Sequence, residues 1–117
     1  MKQLEKFFMS FVHAGRGIAA GFSERNMKLH GVAAILVVIL GFARGLSVER
    51  WAIILILIAL VWSAELFNSS IEDLSDLVRD SENLTYKATK RTRDIAAGAV
   101  LNAVILAVVV GLIVFLG

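Results

Sequence analysis

Three long apolar stretches constrain the fold of this chain more than any other feature. They predict membrane spans at about residues 29–46, 49–67 and 95–116, each close to or above the ~17–25 residues that a helix needs to cross a bilayer. In the first stretch, the residues between His30 and Arg44 are uncharged, a length that is also typical of a buried soluble helix. Its neighbours favour a span. Hydrophobic residues make up 58% of the chain, more than a soluble domain of 117 residues needs.

The chain contains no proline and no cysteine. Long aliphatic runs without proline favour helices as the spanning elements, because a barrel would show short alternating strands. The absence of cysteine excludes disulfides, thiolate metal sites and a cysteine nucleophile. We therefore expect an all-α membrane protein in which residues 1–117 form one domain. The start, MKQLEKFF, lacks the compact apolar run of a secretory signal, so we expect it to be retained.

The distribution of basic residues predicts the orientation in the membrane. Of the 12 lysines and arginines, all but Arg44 and Arg50 precede the first span or lie between the second and third. This positive-inside bias places the N-terminus and the 68–94 connection in the cytoplasm and the C-terminus outside. The formal net charge of +2 therefore reflects membrane topology, and no aromatic-basic motif supports binding to nucleic acid.

Residues 1–22 show the periodicity of an amphipathic helix. Lysines occupy its polar side, and phenylalanines recur on the apolar side, so we expect it to lie along the cytoplasmic membrane surface. A helix packed on the protein's own spans explains the pattern equally well. The apolar positions are Leu4, Phe7, Phe8, Phe11, Val12, Ile18 and Phe22.

The connections follow from capping and breaking residues. Ser23 is a candidate cap for the first span, and Gly45 with Ser47 predicts a tight outer turn. The second helix runs without glycine or proline through Val78, about 28 residues in all, so its last turns project into the cytoplasm. We expect residues 79–91 to form a polar loop, and Arg93 or Asp94 to open the third span.

Four polar side chains share one stripe at the cytoplasmic end of the second span. Glu65, Asn68, Glu72 and Asp76 recur at three- and four-residue intervals, which places them on one side of a helix. A helix that leaves lipid also becomes polar simply because it is solvated. That explanation is as good as a functional one for the aspartates of this region, which are Asp73, Asp76 and Asp80.

Glu65 resists that simple explanation. It is still flanked by Trp62, Leu66 and Phe67, and a carboxylate in such surroundings needs a partner or a water-filled cavity. Partial burial would suit Glu65 to act as a general base, whereas Glu72, two turns closer to the cytoplasm, should stay ionised and hold a cation. One base and one cation ligand are typical of phosphoryl transfer.

Phosphoryl transfer also requires a divalent cation and positive charge near the phosphates. Mg²⁺ prefers carboxylate oxygens and keeps several waters, so two protein ligands suffice. Glu24 is the expected second ligand beside Glu72, because it precedes the first span at the same interface. Lys90, Arg91 and Arg93 supply positive charge, although each is individually explained better as a positive-inside anchor.

Four motifs resemble the prokaryotic diacylglycerol kinase family. They are FVHAGRG, ERNMKLH, AELFNSSIEDLSDLV and RDIAAGAVL, in this order, and ERNMKLH is similar to the undecaprenol kinase branch of Gram-positive bacteria. The resemblance covers essentially the whole chain. It implies a homotrimer of three-span subunits with an N-terminal surface helix, which phosphorylates a lipid alcohol with ATP and Mg²⁺ and has no Walker-type loop. The sequence agrees with the absence of a Walker-type loop, because the glycine-rich stretch GRGIAAG lacks the lysine of such a loop.

The resemblance also implies roles for individual residues. Glu65 corresponds to the general base on the lipid hydroxyl, and Asn68 to the residue that positions this base and the phosphoryl group. The remaining correspondences concern the nucleotide: Glu24 and Glu72 as metal ligands under the phosphates, Asp94 as the acid of a Lys-Asp pair, Arg93 in place of that lysine, and Lys6 and His13 on the surface helix. The loop before Arg93 departs from the family pattern, being longer and lacking its His-Pro. Arginine binds phosphate through a fork where lysine offers a point charge, so we expect altered nucleotide contacts.

The sequence therefore predicts an integral membrane lipid kinase of the bacterial plasma membrane, with its site on the cytoplasmic face. Undecaprenol is the expected substrate and diacylglycerol the alternative, because both present a hydroxyl at the same depth. A small proton-coupled multidrug transporter is a rival of another class, but it needs four spans and a carboxylate near mid-membrane. A holin-like structural protein has no reason to place four polar residues on one stripe.

Overall fold

The computed structural model describes residues 1–117 and consists of four helices joined by short connections. They are α1 (Lys2–Phe22), α2 (Arg25–Arg44), α3 (Val48–Ser81) and α4 (Tyr86–Leu116). By length and composition, α2, α3 and α4 are each able to cross a membrane. The predicted fold class, an all-α protein with an N-terminal helix and three apolar helices, is confirmed.

Helix α1 leaves its apolar side uncovered. Phe7, Phe8 and Phe11 are each more than 60% exposed, and the rings of Phe7 and Phe11 pack edge to face at 5.2 Å. Contact with the rest of the chain is made near the C-terminal end of α1, where Gly21 is buried against Leu66 of α3. Since the spans do not cover the phenylalanines, the structure fits a helix that lies on the membrane surface.

The turn between α2 and α3 forms as the sequence predicts. Gly45 adopts a left-handed conformation (φ 64°), which glycine tolerates without a steric penalty, and it ends α2. Ser47 precedes α3, and its side chain accepts a hydrogen bond from the backbone N–H of Arg50 at 3.3 Å. These two caps reverse the chain within three residues.

Two sequence-based expectations about the connections between α1 and α2 and between α3 and α4 are wrong. Residues 79–91 are not a loop, because α3 continues to Ser81 and α4 begins at Tyr86. The segment 86–93 contains no glycine or proline and is rich in lysine and arginine, which are good helix formers, so its polarity does not mark a break in the helix. Ser23 does not cap α2: the cap position is Glu24, and the Ser23 hydroxyl donates to Ala20 O at 2.5 Å.

The main packing contact joins α3 and α4. The buried side of α3 is apolar in its outer half and polar in its inner half. Opposite it, α4 buries small residues at seven-residue intervals, which lets the two backbones approach closely. The buried residues are Ile54, Leu57, Val61, Glu65, Asn68 and Ser75 on α3, and Thr89, Ala96, Ala103 and Val114 on α4.

Two arginines cap the outer end of α4. Arg44 donates to the carbonyl oxygen of Phe115 at 2.5 Å, and Arg50 donates to those of Val114 at 2.6 Å and Gly117 at 3.1 Å. The last carbonyls of a helix have no partner within the helix and carry partial negative charge, so cations stabilise them. This cap fixes the outer ends of the three apolar helices together.

Candidate active site

The N-terminal part of α2 and the middle parts of α3 and α4 line a polar cavity of about 330 Å³. On the α3 side, Glu65, Asn68 and Glu72 line it, as the helical stripe predicts. Asn68 donates from Nδ2 to Glu72 Oε1 at 3.1 Å, so the amide holds the second carboxylate in place. We call this space the polar cavity. The other lining residues are Asn26, Leu29 and His30 of α2 and Ala97 and Val100 of α4.

Glu65 is buried, with only 3% of the side chain exposed. Its nearest cationic or potentially cationic group is His30 of α2, whose Nε2 lies 3.6 Å from Glu65 Oε2. On the other side, small residues of α4 such as Ala97 leave space above the carboxylate. The structure thus gives Glu65 both an imidazole partner and a cavity, the two features that make a carboxylate tolerable at this depth.

Asn68 presents an unpaired oxygen. Its side chain is 4% exposed, and Oδ1 is buried without a hydrogen-bond partner. Buried polar atoms without a partner are rare in folded proteins and call for an explanation. Together with the carboxylate of Glu72, this oxygen makes a donor set of the hard type that Mg²⁺ prefers. The residues of the polar cavity therefore fit a magnesium ion held by few protein ligands.

An apolar cavity of about 190 Å³ lies next to the polar one, toward the middle of the spans. His30 is the single polar residue in its lining and belongs to both cavities. We call this space the apolar cavity. An amphiphile with a hydrocarbon tail and a polar head fits such a pair of cavities, with the head at the level of His30 and Glu65. The apolar lining consists of Ala33, Ala34, Val37, Ile54, Leu57, Ile58, Val61, Trp62, Val104, Ala107 and Val108.

Glu24 does not reach the polar cavity within one chain. It lines a separate open groove between α1 and α3, beside residues such as Ser69, Ser70 and Asp73. No group of three or more histidine, aspartate or glutamate side chains is arranged to hold a metal ion. The expected Glu24–Glu72 pair is therefore not brought together by a single subunit.

Arg93 is engaged within the chain. Its Nη2 donates to Asp76 Oδ1 at 2.7 Å, its Nε donates to Thr89 Oγ1 at 2.9 Å, and its guanidinium lies 4.8 Å from the centre of the Tyr86 ring. Asp76 lies beyond the apolar part of α3. The hydrogen bond from Arg93, aided by the charges of Arg93 and Arg79, holds the pKa of Asp76 below its usual value. This pair joins α3 to the N-terminal part of α4.

The other residues expected at the nucleotide lie on outer surfaces of the chain. Asp94 accepts a hydrogen bond from Lys90 at 2.6 Å, on an exposed basic surface with Lys87 and Arg91. That hydrogen bond, together with the charge of Asp94, raises the pKa of Lys90, which precedes the apolar part of α4. Lys6 and His13 are exposed on α1. Their contacts with a nucleotide stay predictions.

Comparison with known proteins identifies the family. The model of the family described as prokaryotic diacylglycerol kinase matches residues 12–115. The chain belongs to the prokaryotic diacylglycerol kinase family. Among its relatives, an undecaprenol kinase of Bacillus subtilis (strain 168) is 44% identical over 115 residues, 97% of this chain and 91% of that protein. A diacylglycerol kinase of Synechocystis is 32% identical over 104 residues, 88% of this chain and 58% of that protein. A comparison with solved structures gave no match.

Membership of this family confirms the resemblance seen in the motifs and makes the chain a lipid kinase. It also decides against the multidrug transporter, which needs four spans where this kinase has three candidate ones. The polar stripe of α3 now has a chemical context, because a membrane kinase requires a hydroxyl and a nucleotide to meet at the boundary between lipid and water.

Sequence reasoning missed two residues of this kinase's polar cavity, Asn26 and His30. They are four residues apart on α2, so they share one side of that helix. Their spacing is the signal that could have found them. It becomes informative only once the side of α2 that faces α3 is known, and the weak periodicity of an almost uniformly apolar helix does not reveal that side.

Proposed function

We propose that this lipid kinase transfers the γ-phosphoryl group of ATP to undecaprenol, making undecaprenyl phosphate. The observation that carries the proposal is the buried Glu65, which lines the polar cavity beside His30, the residue that this cavity shares with the apolar one. The 44% identity to an undecaprenol kinase over nearly the whole chain supports this lipid alcohol. Diacylglycerol is the second candidate, because the family and one of the relatives are both described as diacylglycerol kinases.

In the proposed reaction, the lipid hydroxyl lies beside Glu65 and gives its proton to that carboxylate. The hydroxyl oxygen forms a bond to the γ-phosphorus, and the bond between this phosphorus and the bridging oxygen of ADP breaks. Asn68 positions the site by holding Glu72 through its amide N–H. The burial of the Glu65 side chain limits its contact with water, which favours proton transfer from the lipid over hydrolysis of ATP.

For the metal, we propose Glu72 and Glu24 as Mg²⁺ ligands, with Asn68 Oδ1 available beside Glu72. When bound, Mg²⁺ neutralises charge on the phosphate oxygens. Because Glu24 lines a separate groove within one chain, we propose that the pair forms across a subunit boundary in a homotrimer. Arg93, Asp94, Lys6 and His13 remain the proposed contacts of the nucleotide.

For the lipid, we propose that the first part of the hydrocarbon tail occupies the apolar cavity. The apolar and polar cavities share His30 in their linings. A tail in the apolar cavity therefore places the hydroxyl group in the polar cavity. We further propose that the N-terminus and the connection between α3 and α4 face the cytoplasm of a bacterial plasma membrane. Ten of the 12 basic residues lie on that side, which is also where ATP is found.

The test measures transfer of ³²P from labelled ATP to undecaprenol and to diacylglycerol in detergent or vesicles. We expect undecaprenol to be the better acceptor. Ala33→Phe, which fills the apolar cavity, should raise the KM for the lipid and leave the KM for ATP unchanged, whereas Ala43→Phe, the same change elsewhere on α2, should alter neither. A preference for diacylglycerol would make that lipid the proposed substrate in place of undecaprenol. If folded protein transferred phosphate to neither lipid, the proposed function would be refuted.

A further inference from the structure

His30 occupies a position between the two cavities that the proposed reaction leaves without a role. Its backbone is fixed, because its carbonyl oxygen accepts a hydrogen bond from Trp62 Nε1 at 3.3 Å. Trp62 in turn packs edge to face on Phe22 at 5.1 Å. Helices α2 and α3 are thereby held together one turn from Glu65, and the imidazole is presented to that carboxylate.

The surroundings of His30 leave it one strong ionic partner. Its Nε2 lies 3.6 Å from Glu65 Oε2. Glu72 is the other acid in the polar cavity, and it is engaged by Asn68. The α4 residues that line the two cavities beside His30 carry no titratable group; they are Ala97, Val100, Val104, Ala107 and Val108. Glu65 is therefore the acidic partner of His30.

Glu65 faces a problem of proton release. As a base it gains one proton in each turnover and must lose it before the next, yet 3% of its side chain is exposed. The His30 side chain also lines the polar cavity and is 23% exposed, so it has the more open position of the two. A neutral imidazole accepts a proton at one of its two nitrogens.

We propose that His30 takes the proton from Glu65 after each phosphoryl transfer and passes it to water. The O–H bond on Glu65 Oε2 breaks, an N–H bond forms on His30 Nε2, and the resulting imidazolium releases a proton to solvent. The carboxylate is then ready for the next hydroxyl. His30 is a positioning residue that acts through Glu65, and this inference rests on the proposed role of Glu65 as the base.

The distance between the two groups is compatible with this role. At 3.6 Å the pair is slightly longer than a hydrogen bond, and catalytic hydrogen bonds often tighten only when substrate is bound. A rotation of either side chain within the polar cavity closes the gap.

The experiment uses the full chain in vesicles and compares His30→Gln and His30→Ala with the wild type. We expect kcat to fall about 10²-fold, at the lower end of what a proton-transferring group contributes, with the KM for ATP unchanged. Added imidazole should restore activity to His30→Ala in proportion to its neutral form. The pH profile of the rescued enzyme should follow the pKa of free imidazole.

Leu29→Ala is the matched control, because it also opens the polar cavity but removes no proton acceptor. It should show no response to imidazole, and neither should the double variant His30→Ala/Glu65→Gln. Wild-type kcat in His30→Gln, or a folded His30→Ala enzyme that imidazole does not restore, would overturn the proposal while leaving the kinase intact. If the kinase proposal itself were wrong, the wild-type protein would transfer no phosphate to the lipid.

Discussion

The side-chain amide of Asn68 has one polar group that is hydrogen-bonded and one that is not. Its N–H group donates to Glu72, and its oxygen is buried with no partner. Leaving a buried acceptor unpaired costs free energy, on the order of 1–3 kcal/mol, unless a ligand uses it. The free oxygen therefore supports the proposal of a cation beside Glu72.

The prediction at this scale concerns Asn68→Leu, which keeps the volume and removes both polar atoms. Residues that support a metal ligand typically contribute 10–100-fold to metal affinity or activity. We therefore expect the Mg²⁺ concentration for half-maximal phosphoryl transfer to rise by about 10–100-fold. Asn102→Leu, the same change at an exposed position in the apolar part of α4, should leave it unchanged. An unaltered Mg²⁺ requirement in Asn68→Leu would remove this residue from the metal site.

At the residue scale, the sequence predicts the carboxylates better than their partners. Glu65, Asn68 and Glu72 lie on one helix, so their shared side follows from local periodicity alone. The contact between His30 and Glu65 joins two helices and depends on how α2 is rotated against α3. That rotation is set by packing between nearly uniformly apolar surfaces, which leaves little trace in the sequence.

Helix α3 is the element on which the site depends, because it passes from lipid into water without a break. Its buried side changes from aliphatic to polar near Glu65, and the residues that α4 buries at Ala96 and Ala103 are small. Uninterrupted helical backbone keeps every N–H and C=O paired at the boundary, where a loop would leave them exposed to lipid. The carboxylates are therefore held on a rigid support.

Packing of α2 on α3 depends on Gly41 at the outer end. A Cβ atom there would lie 2.6 Å from Cη2 of Trp51, which is too close. We expect Gly41→Ala to destabilise the protein by about 1–3 kcal/mol through overpacking. The matched control is Gly98→Ala in α4, where nothing lies within 4 Å and the gain in helix propensity is about 0.5–1 kcal/mol. Thermal unfolding in detergent should show opposite shifts, and equal shifts would contradict this packing.

At the element scale, helix existence was predictable and one boundary was not. The three apolar helices and the amphipathic α1 follow from length and periodicity. The connection between α3 and α4 is shorter than its polarity predicts, because the lysines and arginines of residues 86–93 are good helix formers. Arg93 then anchors this extension to Asp76, a contact between helices that no local pattern indicates.

The whole molecule is a thin slab of 53 × 46 × 19 Å, hardly thicker than two helices. Only 14 of its 117 residues are buried, and most large apolar side chains face outward. In water such a surface would aggregate, but in a membrane it contacts lipid or further copies of the chain. The shape therefore agrees with a membrane protein whose separate grooves, such as the one that holds Glu24, are completed by assembly.

The proposed orientation can be tested because the chain contains no cysteine. Val48→Cys lies at the outer turn, where Val48 is 82% exposed, and Glu82→Cys lies in the connection between α3 and α4. A membrane-impermeant maleimide should label the first variant in intact cells and the second only after the membrane is permeabilised. The reverse pattern would place the polar cavity on the side without ATP.

The most direct measurement of the central claim is the single-turnover rate of ³²P transfer to undecaprenol by Glu65→Gln, with Glu49→Gln as the matched control at the outer end of α3. If Glu65 is the base, the rate should fall about 10²–10⁴-fold while ATP binding is retained. Glu49→Gln should transfer phosphate at the wild-type rate. A folded Glu65→Gln protein with the wild-type rate would contradict the account.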